Sequence, residues 1–160
     1  YMATLSLVRI DHRLIHGQVM TMWSKEYVVD HIMCVDDPLS KDDFMKQIYM
    51  MAVPSNIKVK MYSLAEAAKC WQENQFGEGH YLVLFRDPKT ALEAWKAGFH
   101  FEKLQVGNVP ADSSSEMVHK TSRLSKSHLP PLTELAELGV EVYAQPLPAE
   151  SPVKLKDLVK

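Results

Sequence analysis

The sequence has few cysteines and no long hydrophobic run. Its two cysteines, Cys34 and Cys70, lack the Cys/Cys or Cys/His spacing of a zinc site or a redox pair, so we interpret both as reduced, interior side chains. No apolar run approaches the roughly 20 residues that cross a bilayer, and the amino-terminal residues do not follow the layout of a signal peptide. We therefore expect a soluble protein of the cytoplasm.

A surplus of positive charge is also missing. The chain has 18 Lys and Arg residues against 20 Asp and Glu residues, a formal net charge of -2, whereas proteins that bind a nucleic-acid backbone usually carry a basic excess. Nucleic acid is therefore not an expected partner. Because the sequence contains no repeat, low-complexity segment or linker, we expect a single domain over residues 2–160 and interpret Tyr1, before Met2, as a cloning remnant.

Short apolar runs alternate with segments of helical periodicity, which is typical of an α/β fold with a mostly parallel sheet. The expected strands cover residues 4–10, 31–35, 57–62, 81–85, 103–106 and 140–144. The expected helices cover residues 17–27, 40–52, 63–74, 88–98 and 132–138, with a short terminal helix that opens at Ser151 and Pro152. Residues 112–127 have no clear periodicity, so we assign no element to them.

Ligands of an open parallel sheet gather at the carboxyl ends of its strands. In this chain those ends are the loops near Asp11, Asp36, Phe85 and Gly107. The first loop belongs to RIDHRLIHGQV, residues 9–19, which places two arginines, one aspartate and two histidines directly before a helix. A neutral imidazole is a competent nucleophile toward phosphorus, and the phosphohistidine that it forms stays reactive. We therefore predict that His16 accepts a phosphoryl group.

Phosphoryl transfer requires compensation for the charge on the phosphoryl oxygens. Arg13 can supply paired hydrogen bonds to those oxygens, and the amides of Gly17, Gln18 and Val19 would be donors at the start of the helix. Gly17 would also let the backbone approach the group closely, and Asp11 could orient either Arg13 or a ring nitrogen of the histidine. These groups make a metal or a small cofactor unnecessary.

This loop resembles the active-site loop of the IIB subunits in the mannose/fructose/sorbose family of the bacterial phosphoenolpyruvate-dependent sugar phosphotransferase system. In that family an arginine, an aspartate and RLIHGQV follow the first strand. The similarity extends over nearly the whole chain through LFRDP, LQVGN and LGVEVYAQPLP, at residues 84–88, 104–108 and 138–148. The resemblance implies a largely parallel sheet of about seven strands with helices on both faces.

The resemblance also implies a function, that of a phosphocarrier with phosphotransferase activity. His16 would take a phosphoryl group from a phosphohistidine of a IIA partner, at ring Nδ1, and pass it to a sugar bound by the membrane subunits IIC and IID. The chain would attach peripherally to those subunits. Both partners would meet the rim around His16 in turn, where Arg9 and Arg13 would be exposed and would contact acidic surfaces.

Other side chains near the loop are weaker candidates. His12 stands where the family usually has aspartate, so it is a second candidate acceptor, and its spacing from His16 also suits a metal pair that lacks a third ligand. Arg9 fits a surface or carboxylate-paired role as well as a phosphate role. Arg86 either contacts the phosphoryl group or a partner, or is simply solvated, and Asp36 either lines the crevice or belongs to a turn.

Two other functions fit the same loop. A histidine-phosphatase-type hydrolase has an arginine-histidine-glycine signature after its first strand, although Ile15 occupies the place of that arginine here. A non-catalytic module could bind a phosphorylated ligand through the same arginines, with His16 only as a hydrogen-bond donor. The other histidines are expected to be structural or surface residues: His31, His80, His100, His119 and His128.

Overall fold

The computed structural model describes residues 3–17 and 19–159, apart from the side chain of Thr21. The described residues do not include Tyr1, Met2, Gln18 and Lys160. The interpretations made above for Tyr1 and Gln18 therefore lie outside the described residues. Of the helices within the described ranges, none is long and apolar enough to cross a membrane.

The strands are β1 (Thr4–Asp11), β2 (His31–Val35), β3 (Lys58–Tyr62), β4 (His80–Phe85), β5 (Lys103–Asn108), β6 (Met117–His119), β7 (Leu124–Ser125), β8 (Glu141–Ala144) and β9 (Val153–Lys154). Seven of them form one sheet in the order β3-β2-β4-β1-β5-β8-β9, and a separate hairpin pairs β6 with β7. Neighbouring strands of the large sheet are parallel except for β9, which is antiparallel to β8. The expected sheet is confirmed.

Helices connect most of the strands, and several of them begin at side-chain caps that the sequence displays. They are a π-helical turn (Val19–Trp23), α1 (Ser24–Glu26), α2 (Asp37–Ser40), α3 (Asp43–Met50), α4 (Leu64–Asn74), α5 (Pro88–Ala97), a 3-10 turn (Lys126–His128), α6 (Leu129–Glu137) and α7 (Leu155–Leu158). Ser63 and Glu66 form a capping box at α4, and the Asp87 side chain accepts a hydrogen bond from the Thr90 amide at α5.

Alternating side chains of the central strands enter two different cores. Along β4, Tyr81, Val83 and Phe85 belong to the larger core, whereas Leu82 and Leu84 belong to the smaller one. This period of two arises because successive side chains of a strand point to opposite faces of the sheet. Because each face is buried, helices cover both faces of the sheet, as expected.

The structure corrects three predictions of local structure. The helix expected over residues 40–52 is two helices, because the Asp36 side chain caps α2 and the Asp42 side chain caps α3 through the Met45 amide. The terminal helix begins later than expected, since β9 intervenes after Pro152. Residues 112–127, left without an element, contain the β6-β7 hairpin.

Candidate functional site

The site lies where the carboxyl ends of β1, β4 and β5 meet. Asp11 ends β1 and Asn108 ends β5, and the Asn108 Nδ2 amide donates to Asp11 Oδ2 at 3.3 Å. Arg86 follows β4, and its Nη1 donates to the carbonyl oxygen of His12 at 3.0 Å. The loops expected to form one crevice are therefore joined by hydrogen bonds.

A tight turn brings His16 back toward the end of β1. Asp11 Oδ1 accepts a hydrogen bond from the Arg13 amide at 3.1 Å, and the Asp11 carbonyl accepts one from the Leu14 amide at 2.9 Å. Leu14 has a φ of 58°, an unfavourable value for leucine, and its side chain is fully buried in the smaller core. Core packing thus holds the turn in the conformation that places His16 Nε2 at 2.9 Å from Asp11 Oδ2.

The Asp11 carboxylate determines which ring nitrogen of His16 carries the proton. Burial raises the pKa of Asp11, but the hydrogen bond and charge of His16 and the charge of Arg9 outweigh it, so this pKa lies below its usual range. An ionised carboxylate only accepts hydrogen bonds, which assigns the proton of the neutral ring to Nε2. The lone pair is then on Nδ1, which has no hydrogen-bond partner among the described residues.

The nitrogen that holds the lone pair is oriented but covered. His16 is 7% exposed and its Nδ1 atom is buried, so any ligand would reach Nδ1 only after the ring or its cover shifts. On the next residue, a Cβ added to Gly17 would meet nothing within 4 Å, so space is open beside the histidine. The following turn is π-helical, a form that is concentrated at functional sites.

Arg9 occupies an interior position rather than the protein surface. It is 1% exposed, and its Nη1 donates to Gln105 Oε1 at 2.5 Å and to the Gln145 carbonyl at 3.0 Å. Its Nη2 donates to the Pro146 carbonyl at 2.9 Å and to Asp11 Oδ2 at 3.4 Å. The expectation that Arg9 is exposed and contacts partners is therefore wrong, and the carboxylate-paired alternative is confirmed.

The neighbours of Arg9 leave room for a guanidinium group. Its Cζ lies 5.0 Å from the centre of the Trp23 ring, and a Cβ added to Gly107 would lie 2.2 Å from that same Cζ. Burial lowers the pKa of Arg9, an effect that the Asp11 charge only partly offsets, but guanidinium groups in proteins keep their charge. Gly107 is thus a glycine because Arg9 fills the space of its missing side chain.

Arg13 has the opposite environment. Its side chain is exposed, and within the described residues it makes no hydrogen bond or ion pair with another side chain. It therefore remains available for a phosphoryl group or for a partner. The exposed Gly17 lies at the start of the helical segment, as predicted.

Arg86 and Asp36 form a partly buried ion pair at the edge of the site. Arg86 Nε lies 3.2 Å from Asp36 Oδ1, and Asp36 Oδ2 also accepts a hydrogen bond from the Leu39 amide. Burial lowers the pKa of Arg86, but hydrogen bonds and charges of Asp36 and Tyr49 outweigh it and raise this pKa. The alternative in which Arg86 is simply solvated is therefore wrong. The alternative in which Asp36 belongs only to a turn is also wrong, because Asp36 caps α2.

The remaining histidines do not join His16 in a cluster of ligands. His12 is partly buried, and its Nδ1 has no partner among the described residues. Within residues 3–17 and 19–159, no three His, Cys, Asp or Glu side chains are arranged to hold a metal ion. His31 bonds to Asp30, and His119 bonds to Ser122, which are structural contacts.

Sequence reasoning missed the residues that hold Arg9, namely Gln105, the Gln145 and Pro146 carbonyls, and Trp23. One signal was available, because Gln105 is a polar residue in an otherwise apolar strand pattern. It is fully buried and on the same face of its strand as Gly107. A buried glutamine next to a glycine position indicates a polar partner from elsewhere in the chain.

A loop histidine that a buried carboxylate orients at the strand ends is what a phosphoryl carrier of the α/β class requires. The chain matches the family model described as PTS system sorbose subfamily IIB component over residues 5–160, and it belongs to that family. It is a phosphocarrier of a sugar phosphotransferase system, with phosphotransferase activity. The hydrolase and the non-catalytic module are not supported.

Individual relatives agree with this assignment. The sorbose-specific EIIB component of Lacticaseibacillus casei is 31% identical over 86% of this chain and 84% of its own length. The crystal structure of manxB from Thermoanaerobacter tengcongensis is 34% identical with a TM-score of 0.89, over 99% of this chain and 96% of that chain. The mannose-specific EIIAB component of Escherichia coli is 23% identical, and the match covers 97% of this chain but 48% of that protein.

Proposed function

We propose that His16 is the residue that carries the phosphoryl group and that Nδ1 is the atom that forms the bond. One observation carries this proposal: His16 Nε2 is held at 2.9 Å from a buried carboxylate, while Nδ1 has no partner among the described residues. The Asp11 carboxylate selects the tautomer with its lone pair on Nδ1 and then stabilises the positive character that the ring gains.

The transfer uses this arrangement twice. In the first step the Nδ1 lone pair of His16 forms the N–P bond as the bond between phosphorus and the donor histidine breaks, and Nε2–H continues to donate to Asp11. In the second step an oxygen of the sugar attacks phosphorus, the Nδ1–P bond breaks, and the hydroxyl proton leaves to a base. Arg13 compensates the charge of the phosphoryl oxygens in both steps.

Membership of this family supports a set of partners for the chain. A IIA domain supplies the phosphoryl group, and membrane subunits IIC and IID present the sugar, so the chain would associate peripherally with the transporter. The relative named EIIAB supports the IIA partner. The match covers 48% of that protein, so the part that is similar to this chain is joined there to further sequence. The exposed Arg13 is suited to contact an acidic surface of either partner.

Labelling of the purified protein tests the proposal. Incubation with phosphoenolpyruvate, the general phosphotransferase proteins and a IIA domain should give one acid-labile phosphoryl group per chain. In the ¹⁵N-labelled protein, NMR of the imidazole nitrogens should show phosphorus on Nδ1 of His16 and a proton on Nε2. Phosphorus on Nε2, or on a different histidine, would contradict the assignment.

Arg13 provides a second prediction. Because its side chain is exposed and lies three residues before His16, Arg13→Ala should slow phosphoryl transfer about tenfold or more through lost charge compensation. The free energy of unfolding should change by less than about 0.5 kcal/mol, as is usual for a surface position. Rapid-quench transfer rates and urea unfolding measure the two effects.

Lys58→Ala is the matched control, because Lys58 is also an exposed cation. It lies at the amino end of β3, an outer strand of the sheet, whereas the site lies at the carboxyl ends of central strands. It should leave both the transfer rate and the free energy of unfolding unchanged. Proportional losses of rate and stability in Arg13→Ala would show that Arg13 acts through the fold and would exclude the proposed role.

A further inference from the structure

Arg9 makes more hydrogen bonds than the steps of phosphoryl transfer described above require. The two terminal nitrogens of its guanidinium group donate to four acceptors, and only one of these, Asp11 Oδ2, belongs to the loop of the site. The other three come from β5 and from the segment that follows β8. The guanidinium group thus ties the end of β1 to two distant parts of the chain.

Asp11 Oδ2 receives three donors in a space closed to solvent. They are His16 Nε2 at 2.9 Å, Asn108 Nδ2 at 3.3 Å and Arg9 Nη2 at 3.4 Å, and the Asp11 side chain is fully buried. Among these donors Arg9 supplies a permanent positive charge, whereas the His16 ring is charged only when protonated. Such a charge helps a buried carboxylate to stay ionised, because desolvation favours its protonated form.

We propose that Arg9 is a positioning residue for phosphoryl transfer, which acts through Asp11 to keep Nε2 of His16 protonated and Nδ1 free. This inference rests on the proposed function of His16. Arg9 keeps Oδ2 ionised and aimed at the ring, and an ionised Oδ2 accepts only from Nε2–H. Without the guanidinium group, Asp11 takes up a proton or turns toward Asn108, and the ring then samples both tautomers.

The surroundings argue against a role in stability alone. An apolar side chain would fill the same space without the cost of desolvating a charge, and replacement of buried ionic groups by apolar ones is often neutral or stabilising. Instead, Gly107 has no side chain where Arg9 needs space, and Gln105 and two carbonyls accept from its terminal nitrogens. This arrangement fixes the direction of the one nitrogen that donates to Asp11.

The test measures the tautomer of His16 in the unphosphorylated protein, so its result does not depend on phosphoryl transfer to the chain. In the ¹⁵N-histidine-labelled wild-type protein, the neutral ring should show a protonated Nε2 and a bare Nδ1. In Arg9→Gln the two nitrogen signals should move toward each other as the tautomers mix, and in Arg9→Lys they should move by less, because lysine keeps a positive charge but not the fixed geometry of the guanidinium group. The rate of transfer from phosphorylated IIA should fall about tenfold, as for other outer partners of oriented histidines, with the KM for IIA unchanged.

Two further variants separate positioning from folding. Gly107→Ala displaces the Arg9 guanidinium without removing its charge, and it should shift the tautomer in the same direction. Val8→Ala truncates a buried side chain that neighbours Arg9 in β1 but belongs to the larger core, on the other face of the sheet. It should lower the free energy of unfolding and leave the tautomer of His16 unchanged.

An unchanged tautomer in the folded Arg9 variants would overturn the proposal. If the Arg9 variants do not fold, an unchanged tautomer in Gly107→Ala overturns it instead. Phosphorylation of a residue other than His16, together with a shifted tautomer in these variants, would refute the proposed function but leave the link from Arg9 to His16 intact.

Discussion

A His16→Ala variant is expected to take up no phosphoryl group from phosphorylated IIA. The variant loses the ring whose Nε2 is held by the buried Asp11 carboxylate, and alanine offers no nucleophile in its place. Circular dichroism should show a folded protein, because the apolar side chains of both cores are unchanged and Asp11 keeps Arg9 and Asn108 as hydrogen-bond donors. The measurement is the stoichiometry of acid-labile label after incubation with the complete donor chain.

His12→Ala is the matched control for this experiment. His12 lies four residues before His16. Within the part of the chain that the structure describes, its Nδ1 has no partner and no carboxylate forms an ion pair with its ring. The control should keep a full equivalent of label. Label in His16→Ala that disappears when His12 is also replaced would show that His12 is an acceptor and would contradict the assignment.

The sheet could be predicted from the sequence because its signal is local. Runs such as residues 81–85 are apolar throughout, which is typical of strands buried on both faces, and turn residues separate them from segments of helical period. The position of the site follows from the same pattern, since strand ends in a parallel sheet share one edge. His16 and Asp11 could therefore be placed near each other before the structure.

The distant acceptors of Arg9 could not be identified from the sequence around it. Its acceptors Gln105 and Gln145 lie 96 and 136 residues away in the sequence. An arginine in a strand pattern is usually exposed, and nothing local to it indicates otherwise. The contact between His16 and Asp11 has a similar limit, because it depends on a positive φ at Leu14 that the smaller core stabilises.

The start of one helix was predicted wrongly because three possible caps lie within a few residues. Asp36, Ser40 and Asp42 all have side chains that can cap a helix, and the prediction chose Ser40. In the structure the two aspartates act as caps, and Pro38 stands in the first turn of the first helix, where it needs no hydrogen-bond partner for its nitrogen. Sequence spacing alone does not rank caps of similar strength.

Asp11→Asn should have the second-largest effect on transfer. The asparagine keeps the shape of the side chain, but its amide can donate to Nε2 of His16, which moves the ring proton to Nδ1 and removes the nucleophilic lone pair. By analogy with carboxylates that orient a catalytic histidine, the transfer rate should fall by a factor on the order of 10² to 10⁴. Single-turnover transfer from phosphorylated IIA measures this rate.

The control is Asp43→Asn, since the Asp43 side chain is 96% exposed and only 3.9 Å from Lys46 in a surface ion pair. It should transfer at the wild-type rate, and a wild-type rate in Asp11→Asn as well would exclude the orienting role of Asp11.

A lowered pKa means that Asp11 contributes stability above the ordinary aspartate pKa, and that this contribution is lost as the pH falls through the lowered value. Asp11→Asn has no such group, so its free energy of unfolding should decline less steeply in acid than that of the wild type.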